Sequence, residues 1–166
     1  MLTSLSIKNF ALIEKLNIDF SKNFSIITGE TGAGKSILLG ALGLVLGKRA
    51  DLSSLKNKEE KCVIEAHFEI SRYGLQSFFE DNDLDYENDT IIRREILASG
   101  KSRAFINDSP VNLQELQSLG QYLIDIHSQH QTQELSEENF QFDIIDSIAN
   151  NQKTIATYAL VLKNYK

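Results

Sequence analysis

The 166-residue chain has one cysteine, one proline and no tryptophan. A single cysteine excludes an internal disulfide framework, and the apolar neighbours of Cys62 favour a buried structural thiol over a reactive one. No apolar run reaches the roughly 18–20 residues that a membrane-spanning helix needs. Residues 1–6 lack the basic start and long apolar core of a signal peptide. We therefore expect a cytoplasmic protein with no membrane partner.

An overall basic charge is also missing, because the formal net charge is −6, so the chain has no global basic field to hold nucleic acid. The distribution is uneven. Residues 80–89 include six acids and no base, which predicts a solvated loop. Residues 91–106 carry an excess of basic side chains, namely Arg93, Arg94, Lys101 and Arg103. These are either a nucleic-acid or partner surface or the charged face of a strand pair.

One motif carries chemistry on its own. The phosphate-loop pattern G-x-x-x-x-G-K-[ST] is matched in full by Gly29, Glu30, Thr31, Gly32, Ala33, Gly34, Lys35 and Ser36. The glycines let successive backbone N–H groups point into one concavity that binds anions. The motif predicts that Lys35 reaches the β- and γ-phosphates and that the Ser36 hydroxyl binds Mg²⁺. We therefore expect ATP and Mg²⁺ as ligands.

The flanking residues fit that motif. Residues 24–28 form a short apolar, β-branched run, which predicts a buried strand. Residues 36–46 are apolar nearly all round, which predicts a buried helix, with Gly47 as its C-cap. The N-terminus of this helix would direct its partial positive charge at the phosphates.

The rest of the chain alternates between strand and helix patterns. The predicted elements are two strands within 2–20, a strand at 62–70, a short helix at 75–79, a hairpin of 90–97 and 102–106, a turn at 107–110, a helix at 111–119 ending at Gly120, and a buried strand at 122–127. This order predicts an α/β fold with an antiparallel β subsheet.

The C-terminal residues change character. Ser136 is a candidate N-cap for a helix that runs towards the end. Apolar spacings of three and four predict a heptad seam formed by Ile145, Ile148, Gln152, Ile155, Ala159 and Leu162. The seam indicates either the start of a coiled coil or a single amphipathic helix packed on its own domain.

The groups needed for hydrolysis are not evident. A Walker-B strand ends in an aspartate that holds Mg²⁺, and Asp125 fits poorly because further strand positions follow it. Either a second segment completes the fold, or the domain binds nucleotide without turnover. His127 and His130 are spaced i, i+3, but zinc needs three or four ligands, so we expect no metal site there.

Several segments resemble the start of the RecN family of bacterial DNA repair proteins. They are residues 5–13, 27–36, 47–51, 101–107 and 123–130. The family belongs to the ATPases related to structural maintenance of chromosomes, which have ABC-type heads. The resemblance implies a P-loop NTPase fold in which residues 1–133 form the N-terminal lobe of the head. Residues 134–166 would be the helix at the base of a coiled-coil arm.

The resemblance also implies roles for residues. Gln129 would contact Mg²⁺ and the attacking water, so that Lys35 and Gln129 are the catalytic candidates and Ser36 and Gln129 the Mg²⁺ ligands. The family pattern has glycine in place of Ser128 and an acidic residue in place of Gln131, and Gln131 is the competing candidate for the glutamine role. Apart from the resemblance, Asn9 and Phe10 are candidates for contact with the base of the nucleotide.

The function implied is the ATP-binding half of a DNA double-strand-break repair ATPase associated with the nucleoid. Its partners would be the C-terminal half of the same protein, a second RecN-like protomer and DNA. Hydrolysis would need the C-terminal half and the second protomer, so we expect the chain alone not to hydrolyse ATP. One alternative is a self-contained small P-loop kinase with Arg93, Arg94 and Arg103 as lid arginines. Another is a non-enzymatic nucleotide-binding structural module.

Overall fold

The computed structural model describes residues 1–28, 34–51, 54–126, 142, 145–146, 148–149 and 151–165. Contacts divide the chain into two units, Met1–Asp125 and Ile126–Lys166. The boundary between residues 133 and 134 that the sequence suggests stays a prediction. Among the described helices, none combines the length and apolar character that a membrane span requires.

The first unit is built on a six-stranded sheet in which all neighbouring strands are antiparallel. The strands are β1 (Leu2–Phe10), β2 (Ile13–Asp19), β3 (Cys62–Glu69), β4 (Asp89–Ile96), β5 (Ser102–Ile106) and β6 (Ser109–Val111). Their order across the sheet is β2-β1-β3-β4-β5-β6. On β3 every second side chain is buried, because successive residues of a strand point to opposite faces. The predicted antiparallel subsheet is confirmed.

The turn between β5 and β6 is shorter than predicted. Asn107 and Asp108 have φ values of 46° and 64°, as in a two-residue hairpin turn with both central residues left-handed. Asn and Asp tolerate this conformation. Ser109–Val111 then adds an edge strand instead of continuing the turn. An edge strand accommodates Pro110 because one of its sides makes no ladder hydrogen bonds.

Three helices pack against one face of this sheet. They are α1 (Lys35–Val45), α2 (Gln76–Asp81) and α3 (Leu113–Leu123). Their buried side chains join those of the strands in one apolar cluster, with α1 against β3 and β4 and α3 against β5. The opposite face is more polar, with partly exposed side chains such as Ser6, Glu65 and Glu95. We call these the core face and the outer face.

Helix α1 ends in a Schellman motif. The N–H of Gly47 donates to the carbonyl of Leu44 at 3.1 Å, and the N–H of Lys48 donates to that of Gly43 at 2.9 Å. Gly47 has a φ of +89°, which glycine adopts without a Cβ clash. Its carbonyl accepts a hydrogen bond from Nε2 of Gln117 at 2.9 Å. The predicted C-cap therefore also joins α1 to α3.

Helix α3 starts with a capping box. Oδ1 of Asn112 accepts from the N–H groups of Gln114 and Glu115, both at 2.9 Å, and Oε2 of Glu115 accepts from the N–H of Asn112 at 2.9 Å. The prediction that the helix ends at Gly120 is wrong. A Cβ at Gly120 would lie 3.3 Å from the carbonyl oxygen of Leu46, so this glycine allows α3 to approach α1 closely.

The predicted buried strand at 24–28 is wrong. These residues have no regular secondary structure, and Phe24 and Ile26 are 78% and 72% exposed. A fully buried strand needs a neighbour on each side, and within the described residues no strand pairs with this segment.

Helix α1 is less buried than predicted. It is buried on one side, with Leu39 exposed on the other, because the described elements cover only its sheet-facing side.

The predicted buried strand at 122–127 is also wrong. Helix α3 continues to Leu123, and residues 124–126 have no regular secondary structure. Tyr122 is exposed and packs edge-on against Phe78, with ring centroids 6.2 Å apart. The capping box starts a helix whose hydrogen bonds reach the N–H of Ile124, and this local ladder prevails over the strand propensity of the apolar run. His127 lies outside the described residues.

In the second unit, helix α4 spans Gln152–Tyr165, and the heptad positions do not lie on one uninterrupted helix. The last described helical residue before α4 is Ile148, and Ala149 and Asn151 are not helical. The carbonyl of Asn151 accepts from the N–H of Thr154 at 2.9 Å, so Asn151 starts a new helix, as its preference for caps favours. Ser136 lies outside the described residues. A coiled-coil partner for α4 stays a prediction.

Candidate nucleotide-binding site

The described part of the phosphate-loop motif lies at the start of α1. Gly34 is the N-cap residue, and its carbonyl accepts from the N–H of Leu38 at 3.0 Å. Lys35 and Ser36 are the first two residues of the helix, and both are exposed. Gly29, Glu30, Thr31, Gly32 and Ala33 lie outside the described residues, as do Gln129 and Gln131.

This helix N-terminus is suited to bind an anion. Within the described residues no side chain caps the first N–H groups of α1, and no acidic residue occurs in its first turn. Helices usually satisfy these donors with a capping side chain such as Asn112 provides for α3. Backbone N–H groups at the start of a helix and the helix dipole together attract phosphate. A Cβ at Gly34 would meet no described atom within 4 Å.

The two residues considered for base contact are structural. Asn9 is 4% exposed, and its Nδ2 donates to the carbonyls of Asn57 and Glu60, both at 2.9 Å. Its Oδ1 accepts from the N–H of Asn57 at 2.7 Å. Phe10 is 6% exposed and packs beneath Gly40 of α1. Both side chains are engaged in holding the sheet, the 57–60 turn and α1 together, which leaves neither available for a base.

The four basic residues of the 91–106 region do not form one surface. Arg93 lies on the outer face, where its Nη1 is 2.9 Å from Oδ1 of Asp108 and 3.9 Å from Oε2 of Glu65. Its guanidinium carbon lies 4.7 Å from the centroid of the Phe105 ring. Its charge is thus compensated locally.

Arg94 lies on the other side of the sheet. It is 1% exposed on the core face, so the prediction that it shares a DNA-contacting surface with Arg93 is wrong. The sequence held a signal for this, because Thr90, Ile92, Arg94 and Ile96 occupy every second position of β4 and share one face. Lys101 and Arg103 are exposed.

The single cysteine is a structural residue. Cys62 is fully buried on the core face of β3, and burial raises the pKa of its thiol to about 11. A thiol is nucleophilic as its thiolate, so near neutral pH this group is inert.

A phosphate-loop sequence at the start of a helix, beside a sheet covered on one face by helices, is typical of the class of nucleotide-binding α/β domains. Residues 4–164 match the family described as AAA domain, and the chain belongs to it. It is similar to the DNA repair protein RecN of Vibrio cholerae (42% identical, covering all of this chain and 30% of the relative) and to RecN of Bacillus subtilis (37% identical, 90% and 26%). The chain thus spans about 30% of the length of the curated relatives it matches.

Solved structures show the same fold. One is described as "Structural biochemistry of ATP-driven dimerization and DNA stimulated activation of SMC ATPases" and gives a TM-score of 0.60 at 21% identity, covering 73% of this chain and 78% of that one. The SMC head domain from Thermotoga maritima gives 0.54 at 22% identity, covering 71% and 41%. These likenesses establish the head-type α/β fold that the sequence predicted.

Proposed function

We propose that the chain is the nucleotide-binding part of a DNA repair ATPase and binds ATP with Mg²⁺ at residues 29–36. The observation that carries the proposal is the coincidence of this motif with the start of α1, whose first residues are Lys35 and Ser36. Lys35 holds the β- and γ-phosphates and Ser36 binds Mg²⁺ through its hydroxyl. The similarity to RecN proteins supports DNA repair as the process.

Hydrolysis, in this proposal, requires a C-terminal half of the same protein and a second protomer. Two observations support a neighbouring strand that the C-terminal half supplies. Phe24 and Ile26 are apolar but exposed, and one side of α1 is exposed as well. A strand at 24–28 would form once another strand lies beside it. Gln129, or Gln131 in its place, contacts Mg²⁺ and the attacking water. The domain boundary after residue 133, the coiled-coil arm and a cytoplasmic location at the nucleoid belong to the same proposal.

The test of the nucleotide site is calorimetric titration of ATP in the presence of Mg²⁺. Lys35→Ala should weaken binding at least tenfold, because a hydrogen bond to a charged group contributes about 1.5–3 kcal/mol. Lys8→Ala is the matched control, since Lys8 is an exposed lysine of β1 on the outer face. Equal affinity of the Lys35→Ala variant and the wild type would show that the motif is not the site.

Turnover separates the split-head proposal from the kinase alternative. We expect no phosphate release above background from the 166-residue chain, and robust release would contradict the need for a second half. The lid that a kinase needs lacks support, because Arg94 lies on the core face, opposite Arg93 and Arg103.

DNA contact through Lys101 and Arg103 is part of the proposal. Each phosphate contact steepens the salt dependence of binding by about 0.9 on a log–log scale. The double variant Lys101→Ala/Arg103→Ala should therefore lower the slope by about 2, whereas Lys8→Ala should leave it unchanged. An unchanged slope in the double variant would mean that DNA is contacted elsewhere or not at all.

A further inference from the structure

Arg94 lines a cavity at the edge of the sheet that the nucleotide proposal does not use. The cavity has a volume of about 490 Å³. It lies where β5, β6 and the start of α3 meet, and its walls include Ala104, Pro110, Val111 and Leu113. No described residue of the phosphate-loop motif lines it. Because β6 is the last strand of the sheet, the cavity opens at an edge that a partner can approach.

Within the part of the chain that the structure describes, the guanidinium of Arg94 is buried without an acidic partner. The side chain is 1% exposed, and among the described contacts its Nη2 donates one hydrogen bond, to Oγ of Ser102 at 3.3 Å. No described atom accepts from its buried Nε. Within the described residues no carboxylate lies within 4 Å of it, in contrast to Arg93. A buried charge without a counter-charge is strongly unfavourable, so this position is suited to receive an anion.

The surroundings of Arg94 select the kind of anion. Nε and one Nη of a guanidinium form a planar fork that matches the two oxygens of a carboxylate. The apolar part of the lining, formed by Ala104, Val111 and Leu113, suits a carboxylate attached to an apolar group. Arg103 also borders the cavity, but its register opposite Glu95 places it on the outer face, which leaves Arg94 as the central cation.

We propose that this cavity, the Arg94 cavity, binds the carboxylate of an acidic side chain that a protein partner presents next to an apolar residue. The carboxylate accepts hydrogen bonds from Nε and Nη2 of Arg94, and the apolar neighbour packs against Val111 and Leu113. This gives the head a protein-docking site separate from the nucleotide.

The test uses ¹⁵N-labelled protein and follows the Nε–H signal of Arg94 by NMR at constant ionic strength. Isobutyrate represents an acidic side chain with an apolar group, isobutyramide is its uncharged isostere, and inorganic phosphate represents a nucleic-acid backbone. We expect a saturable shift of the Arg94 signal with isobutyrate and at least tenfold weaker responses with the other two. An equal response to isobutyramide would refute charge recognition, and a stronger response to phosphate would refute a protein carboxylate as the occupant.

A pair of arginine variants checks the assignment. In Arg94→Met the backbone N–H signals of Val111 and Leu113 should no longer respond to isobutyrate. The control Arg72→Met should behave as wild type, because Arg72 is exposed and follows the C-terminal end of β3. An undiminished response of Arg94→Met would refute the proposal. If Arg94→Met does not fold, the comparison of the three probes on the wild type decides. ATP affinity, measured in parallel, reports on the nucleotide site independently.

Discussion

Replacing Gly47 by alanine should destabilise the protein for two separable reasons. Alanine is strained at the φ of +89°, at a cost of about 1–2 kcal/mol for an L-residue in the left-handed region. Its Cβ would also lie 2.5 Å from Cγ and 3.0 Å from the backbone nitrogen of Gln117. Relieving such overpacking costs about 1–3 kcal/mol more. The expected loss in the free energy of unfolding is therefore about 2–5 kcal/mol.

The chain offers a matched control at Gly74. Its φ is +64°, and a Cβ there meets no described atom within 4 Å. Gly74→Ala should consequently show the backbone cost alone, about 1–2 kcal/mol. Urea unfolding followed by circular dichroism gives both values, provided that the slope m is unchanged.

The difference between the two variants measures the contact between α1 and α3. A further change, Gln117→Ala, removes the Cγ atom that an added Cβ would meet, so the double variant should recover part of the loss. If Gly47→Ala and Gly74→Ala cost the same within about 0.5 kcal/mol, the close approach of Gly47 to Gln117 is not a constraint on the fold, and the reasoning fails.

Three further predictions concern local interactions. With a pKa of about 11, the Cys62 thiol is only about 1% ionised at pH 9. A thiol reagent should therefore modify the native protein slowly and the urea-unfolded protein quickly. Fast modification of the native protein would refute the burial of Cys62. Asn112→Ala removes the capping box with Glu115 and should lower the free energy of unfolding by about 1 kcal/mol in the same urea assay, and no loss would mean that water replaces the cap. Asn9→Ala leaves the N–H of Asn57 and two carbonyls without their buried partner, at about 1–3 kcal/mol, and places alanine at a φ of 55°, at about 1–2 kcal/mol. Asn17→Ala, at an exposed position of β2, loses the hydrogen bond from Oγ of Ser6 and should cost about 1 kcal/mol.

Patterns that depend on neighbouring residues of the chain were predictable. Alternation placed β3 correctly, because the two faces of that strand differ in burial. The phosphate-loop motif placed Lys35 and Ser36 at the start of a helix, since the glycines before them and the apolar run after them are both local signals. Gly47 was predicted as a cap for the same reason.

Patterns whose outcome depends on residues far away in the chain were not predictable. The apolar run at 24–28 predicts a strand, but a strand forms only where another strand lies beside it. The run at 122–127 was misassigned because the capping box of Asn112, ten residues earlier, extends a helix into it. Arg94 was grouped with its sequence neighbour Arg93, although adjacent residues of a strand face opposite sides of the sheet.

The phosphate-binding motif, the alternating strands and the family resemblance can be read without the fold, because each is encoded in the types and spacing of residues near one another in the chain. The close approach of α1 and α3 at Gly47 and Gly120, and the burial of Arg94 with no carboxylate among the described residues beside it, are visible only in the folded chain. Those features depend on which segments pack against one another, and the free energy of that packing comes from contacts between residues far apart in the sequence.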